Sequence, residues 1–169
     1  MKAKKLTVMA LLTAIALTIF MIEAQIPPVL PVPGIKLGLS NIVTVFAVFA
    51  IGSKEAAMIL FVRVFLGAVF SGNMSTIFYS AAGGLLAILA TVALKRILSK
   101  QQIWVAGVFG AIAHAVGQMI AAIVISGTPS LAVYLPVMIL SAVATGFVTG
   151  LSAQLIVNRG AGLWETIFK

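Results

Sequence analysis

Three ionisable residues sit inside long apolar stretches of this 169-residue chain: Glu23, Arg63 and His114. Holding such a group in a membrane costs at least about 2.5 kcal/mol on insertion scales, so each is by default a functional candidate. Arg63 would recognise an anionic group or be neutralised by Glu23. His114 and Gln118 are four residues apart, on one helix face, and would supply directional hydrogen bonds. Lys36, Asn41, Tyr79 and Tyr134 lie nearer the ends of their stretches, on the same side as these. The pattern fits capture of a small molecule with an anionic or strongly polar group and an apolar part. Each residue also has a plainer use. Arg63 can be held by helix-end carbonyls, a lone buried His is commonly structural, Asn41 can cap a helix, and the tyrosines can be interface aromatics. The cluster, rather than any one member, carries the functional reading.

The elements that must position these side chains are membrane helices. Hydrophobic residues make up 62% of the chain and charged residues 8%, against about 25% charged in a soluble domain; a water-facing surface cannot be built from this composition. At about 20 residues per span, the length holds six helices, predicted over residues 6–25, 37–52, 56–70, 76–94, 103–125 and 131–157. One all-α, polytopic membrane domain over 1–169 is expected. The basic start followed by an apolar run also suits a signal peptide, but Ile22-Glu23-Ala24 is a poor small-x-small cleavage site and five more spans follow, so the first span is expected to stay. Between the first two spans, four prolines and Gly34 in residues 27–34 forbid a continuous helix and suggest a stiff apolar cap over the outer end. At the C-terminus, Leu163, Trp164, Ile167 and Phe168 at helical spacing suggest a segment lying on the membrane surface.

Charge then orients the bundle. With the N-terminus inside, the inner face receives Lys2, Lys4, Lys5, Lys54, Lys95, Arg96, Lys100, Arg159 and Lys169, and the outer loops only Lys36; the positive-inside rule therefore gives N-in, C-in. Arg63 comes out roughly 12 Å below the outer end of its helix, with Gln118 at similar depth and His114 one turn deeper.

The acids exclude some chemistry. The three are Glu23, Glu55 and Glu165, with no aspartate and no cysteine. A magnesium–diphosphate site converges several carboxylates, so no catalysis, metal or cofactor is expected, and without a phosphate-binding loop the chain cannot use ATP alone. Small residues recur at helical spacing: Ala10 with Ala14, Ala142 with Gly146 and Gly150, and the Gly83-Gly84 pair. Such spacing lets helix backbones approach closely, within the chain or against a partner.

The block Pro33-Gly34-Ile35-Lys36-Leu37-Gly38-Leu39-Ser40-Asn41-Ile42-Val43 resembles the hallmark of a small bacterial membrane family, heptaprenyl diphosphate synthase component I, also called the Gx transporter family. The stretches Gly110 to Gln118 and Tyr134 to Gly146 are similar to its other blocks; Ala115 stands where a polar residue would follow the His. The six-span layout is also similar to the S components of energy-coupling factor transporters. That second resemblance implies an outward pocket under the loop at 26–36 and docking of Ala10 and Ala14 onto a shared coupling subunit.

The leading expectation is a substrate-binding subunit or small transporter in the bacterial cytoplasmic membrane, energised by partner subunits with their own ATPases. Its floor would be Arg63, Gln118 and His114, with Lys36, Asn41, Tyr79, Tyr134 and Glu23 around the rim. The alternatives are a non-catalytic membrane partner of a prenyl synthase, and a carrier driven by ions through Glu23 or His114.

Overall fold

In the computed structural model, residues 3–26, 36–162 and 164 are described. They form six α-helices and no strand: α1 (Ala3–Glu23), α2 (Asn41–Ala50), α3 (Ser53–Ser71), α4 (Thr76–Lys95), α5 (Ile103–Ser126) and α6 (Leu135–Arg159). Short 3-10 turns at Lys100–Gln102 and Pro129–Tyr134 lead into α5 and α6. Counted with these turns, four helical segments are long and apolar enough to cross a membrane: Ala3–Glu23, Thr76–Lys95, Lys100–Ser126 and Pro129–Arg159. α3 has the length, but carries Lys54, Glu55 and Arg63.

The bundle is inside-out relative to a soluble protein. Phe61, Phe65, Phe78, Leu89, Val124 and Leu140 are among its exposed side chains, while Glu23, Asn41, Arg63, His114 and Gln118 are buried. Apolar outside and polar within is stable where the surroundings are hydrocarbon.

α2 departs from expectation. It is ten residues long, about 15 Å, half the hydrocarbon thickness, and it begins at Asn41 rather than at 37. Its Val43, Thr44, Val45, Phe46, Ala47 and Val48 are all buried, as a helix apolar all round requires. One side joins Met9, Ala16, Ile59, Leu60 and Ile88 of α1, α3 and α4; the other joins Ile103, Ala153 and Val157 of α5 and α6. Non-helical backbone at this depth is tolerated because protein, not lipid, surrounds it, and its polar groups find partners described below.

α4, α5 and α6 pack backbone to backbone. A Cβ on Gly107 would lie 2.4 Å from the Gly150 Cα and 2.7 Å from the Gly146 carbonyl oxygen, and one on Gly117 would lie 2.5 Å from the Ala82 carbonyl oxygen. The ladder Ala142, Gly146, Gly150 is therefore used inside the molecule. Ala142 is buried against Ala111 and Ala115 of α5.

Polar clips join the charged ends. Lys5 of α1 donates to Glu55 of α3 at 2.5 Å, and this contact holds the Glu55 carboxyl below the usual carboxylate range. Lys95 donates to the Val48 carbonyl at 2.6 Å, satisfying an open carbonyl near the end of α2. Asn158 donates to the Lys100 carbonyl at 3.3 Å. These contacts gather Lys5, Lys54, Lys95, Lys100 and Arg159 at one end of the bundle. Trp164 packs edge-on against Phe46, with centroids 5.1 Å apart, so this residue of the tail is tied to the bundle by its ring. Leu163, Ile167 and Phe168 lie outside the described residues, as do Lys2, Glu165, Lys169 and the proline-rich segment at 27–35 that was expected to form a cap.

Candidate functional site

The site grows from the turn that precedes α2. Glu23, the last residue of α1, is 5% exposed; its carboxylate accepts the N–H of Gly38 at 2.6 Å and of Leu39 at 3.1 Å. From α5, the Gln118 amide faces the main chain of Lys36. With its orientation taken from hydrogen bonding, it donates to the Lys36 carbonyl at 2.9 Å and accepts from the Lys36 N–H at 3.3 Å. Two buried side chains thus pair with the main chain of Lys36, Gly38 and Leu39 in the unwound stretch, groups that would otherwise be unpaired in a dry interior.

Gly38 lets these pieces meet. Its φ is +80°, a conformation open to glycine and costly with a side chain. A Cβ there would lie 3.0 Å from both Asn41 Nδ2 and His114 Cδ2. On its other edge the His114 ring rests on α4: a Cβ on Gly83 would lie 2.8 Å from His114 Nδ1 and 2.9 Å from the Gln118 Cγ. The imidazole is therefore wedged between two glycines and fixes the spacing of α4, α5 and the turn.

Arg63 reaches the same region from α3. It is 2% exposed, and among the described residues no carboxylate lies within 4.0 Å of its guanidinium, since the one ion pair found is Lys5 with Glu55. Glu23 and His114 are close enough to feel its charge. Phe20 of α1 forms a wall under both cations: the Lys36 ammonium lies 3.5 Å from its ring centroid and the Arg63 guanidinium carbon 5.7 Å, within cation–π range.

The hydrogen-bond ledger then divides the residues expected from sequence. Glu23 and Gln118 are committed to main chain, Lys36 to the Phe20 face, and His114 to packing. Among the described residues, Arg63 Nη2, both polar atoms of Asn41 and His114 Nδ1 are buried without a hydrogen-bond partner. Native interiors keep few such atoms, and each calls for an explanation. Because His114 Nδ1 lies against Gly83, Arg63 and Asn41 hold the open capacity. Tyr134 is half-buried and packs on the α5–α6 seam near Met119 and Met138. Tyr79 is half-buried on α4. Among the described residues, neither tyrosine hydrogen-bonds to the cluster.

Sequence reasoning missed Phe20, which is apolar and unremarkable in type. Its signal was spacing: it lies three residues before Glu23, on the same face of α1. It also missed Gly38 and Gly83 as the surfaces that receive His114, although the Gly83-Gly84 pair marked a close approach.

Glu23 gives a direct test of this division. Glu23→Leu leaves the Gly38 and Leu39 N–H groups unpaired, and should cost about 2–6 kcal/mol of stability at about 1–3 kcal/mol per orphaned group. Glu23→Gln keeps one acceptor and should cost less than half as much. Thermal unfolding in detergent measures both; equal, negligible shifts would deny the bracing role.

A family model described as heptaprenyl diphosphate synthase component I matches residues 12–156. Comparisons with curated proteins and with solved structures gave no match.

Proposed function

The chain belongs to the heptaprenyl diphosphate synthase component I family, and from that premise we propose that it is a non-catalytic membrane subunit that captures a small, anionic or strongly polar organic molecule from the outer side. One observation carries the reading: among the described residues Arg63 is buried, makes no ion pair within 4.0 Å, and keeps Nη2 without a hydrogen-bond partner, with Glu23 acting on it only from farther away. A buried cation with no direct ion pair is unfavourable, and an anionic ligand group would complete it. Lys36 adds a second positive charge beside it, while the Glu23 carboxylate is already engaged by two N–H groups.

The chain crosses the bacterial cytoplasmic membrane six times with both termini inside, α2 doing so only together with the non-helical stretch at 36–40 that precedes it. The basic end formed by Lys5, Lys54, Lys95, Lys100 and Arg159 is cytoplasmic, which leaves Lys36 and the site toward the outside. The non-catalytic character rests on the acids: no aspartate exists, and Glu23 and Glu55 serve opposite ends of α1.

Uptake would follow docking onto coupling and ATPase subunits of the energy-coupling factor type. Ala10 and Ala14 are exposed on α1, on the side away from its buried Met9, Thr13 and Ala16, and so are available to a partner helix. Replacing both by Leu should abolish co-purification of partner subunits and uptake in cells, with the thermal midpoint unchanged. Unimpaired association would refute this docking mode. The family description favours one further reading, a membrane partner of a separate prenyl synthase; affinity purification from native membranes separates the two by the partner recovered.

A further inference from the structure

Building on the ligand site at Arg63, we infer that Asn41 determines which ligand is accepted, selecting a molecule that presents a hydrogen-bond donor and acceptor side by side. A carboxamide, lactam or imide edge has that form, with a flanking anionic or carbonyl oxygen left for Arg63.

Asn41 is 4% exposed, and both its Nδ2 and its Oδ1 are unpartnered. Helix capping does not account for it. Asn41 is the first residue of α2, Ser40 holds the cap position without a side-chain bond, and the N–H groups of Gly38 and Leu39 are taken by Glu23. Packing does not account for it either, because an apolar side chain of the same size would fill the space without burying open polar atoms. Among the polar side chains around Gly38, Glu23 and Gln118 are engaged with main chain and His114 rests on Gly83. Asn41 is therefore the neutral group with free donor and acceptor together.

That pairing has a chemical meaning. An amide offers two N–H donors and two acceptor lone pairs, and it matches an edge carrying an acceptor beside a donor, as asparagine does when it reads adenine. An ionised carboxylate or diphosphate carries acceptors alone. At Asn41 it would satisfy Nδ2 and leave Oδ1 buried and unpaired. Sites built on such groups reject analogues that lack the complementary atom far more sharply than apolar pockets do.

The test uses the full chain in mild detergent and three probes: orotate, a uracil ring with lactam edges and one carboxylate; benzoate, a carboxylate on a plain ring; and inorganic diphosphate. Dissociation constants come from isothermal titration. Orotate should bind at least about 10-fold more tightly than benzoate, the discrimination expected of one unsatisfied buried group. In Asn41→Leu that ratio should fall to about one, with a thermal unfolding midpoint no lower than that of the wild type as evidence of an intact fold. Asn41→Asp, which keeps the shape and loses the donor, should lower the ratio likewise; because both probes carry one negative charge, the added charge cancels in the comparison. A ratio near one in the wild type, or diphosphate as the tightest probe, would overturn the role of Asn41 and leave the anion site standing. Failure of all three probes to bind would overturn both.

Discussion

Arg63→Met should weaken ligand capture by about 100-fold or more, the range for removing one partner of a buried charged contact, and leave the ligand-free protein at least as stable as the wild type. The two halves belong together. Arg63 has no carboxylate within 4.0 Å among the described residues and one donor without a partner, so in the empty protein its desolvation is offset only by the more distant Glu23 carboxylate and the Phe20 ring. Methionine fills similar space without that cost, and such replacements are commonly neutral or stabilising. A purely structural Arg63, held in a hidden ion pair, would behave oppositely: breaking a buried pair costs about 3–5 kcal/mol, and ligand binding would fall only as far as the fold did. Thermal unfolding of the ligand-free protein and ligand titration, measured on the same preparation, separate the two cases.

Gly107→Leu should prevent the protein from accumulating in a folded state. The Cβ alone would lie 2.4 Å from the Gly150 Cα and 2.8 Å from its nitrogen. Both are main-chain atoms of α6, so no rotamer change relieves the overlap; the helices must separate. Overpacking a core costs about 1–3 kcal/mol where side chains can yield, and more is expected where they cannot. Separation would also disturb α5, which carries His114 and Gln118, and through Gln118 the turn at Lys36. Ala10→Leu is the control, since Ala10 has the same kind of spacing but faces outward; it should leave the thermal midpoint within about 0.5 kcal/mol of wild type, as surface changes usually do. A folded Gly107→Leu protein with wild-type stability would refute the backbone contact.

Helix positions were legible because hydrophobic runs and charged turns repeat on the scale of a membrane. α4, α5 and α6 lie within a few residues of the predicted stretches. α2 was not legible to the same degree: Leu37 to Gly52 is mostly apolar, and Gly38, Ser40 and Asn41 do not by themselves show that its first four residues unwind. That depends on Glu23 and Gln118, which come from α1 and α5. Ionisable residues in apolar runs marked the site region, because the energetic argument needs no structure. Which of them were engaged could not be read. Glu23 and Gln118 look as functional as Arg63 in sequence, and the difference lies in main-chain partners many residues away. The two small-residue patterns were likewise equal on paper. Burial separates them, with Ala142, Gly146 and Gly150 inside the molecule and Ala10 and Ala14 facing out.

The most direct test of the central claim is a native mass spectrum of the chain purified in mild detergent from its own host membranes, recorded in parallel for wild type and Arg63→Met. The account predicts a bound small molecule of definite mass on the wild type, absent from the variant, with both proteins intact and equally folded. The same adduct on both proteins would contradict the assignment of the site to Arg63, and a wild-type chain that is always bare would contradict capture itself.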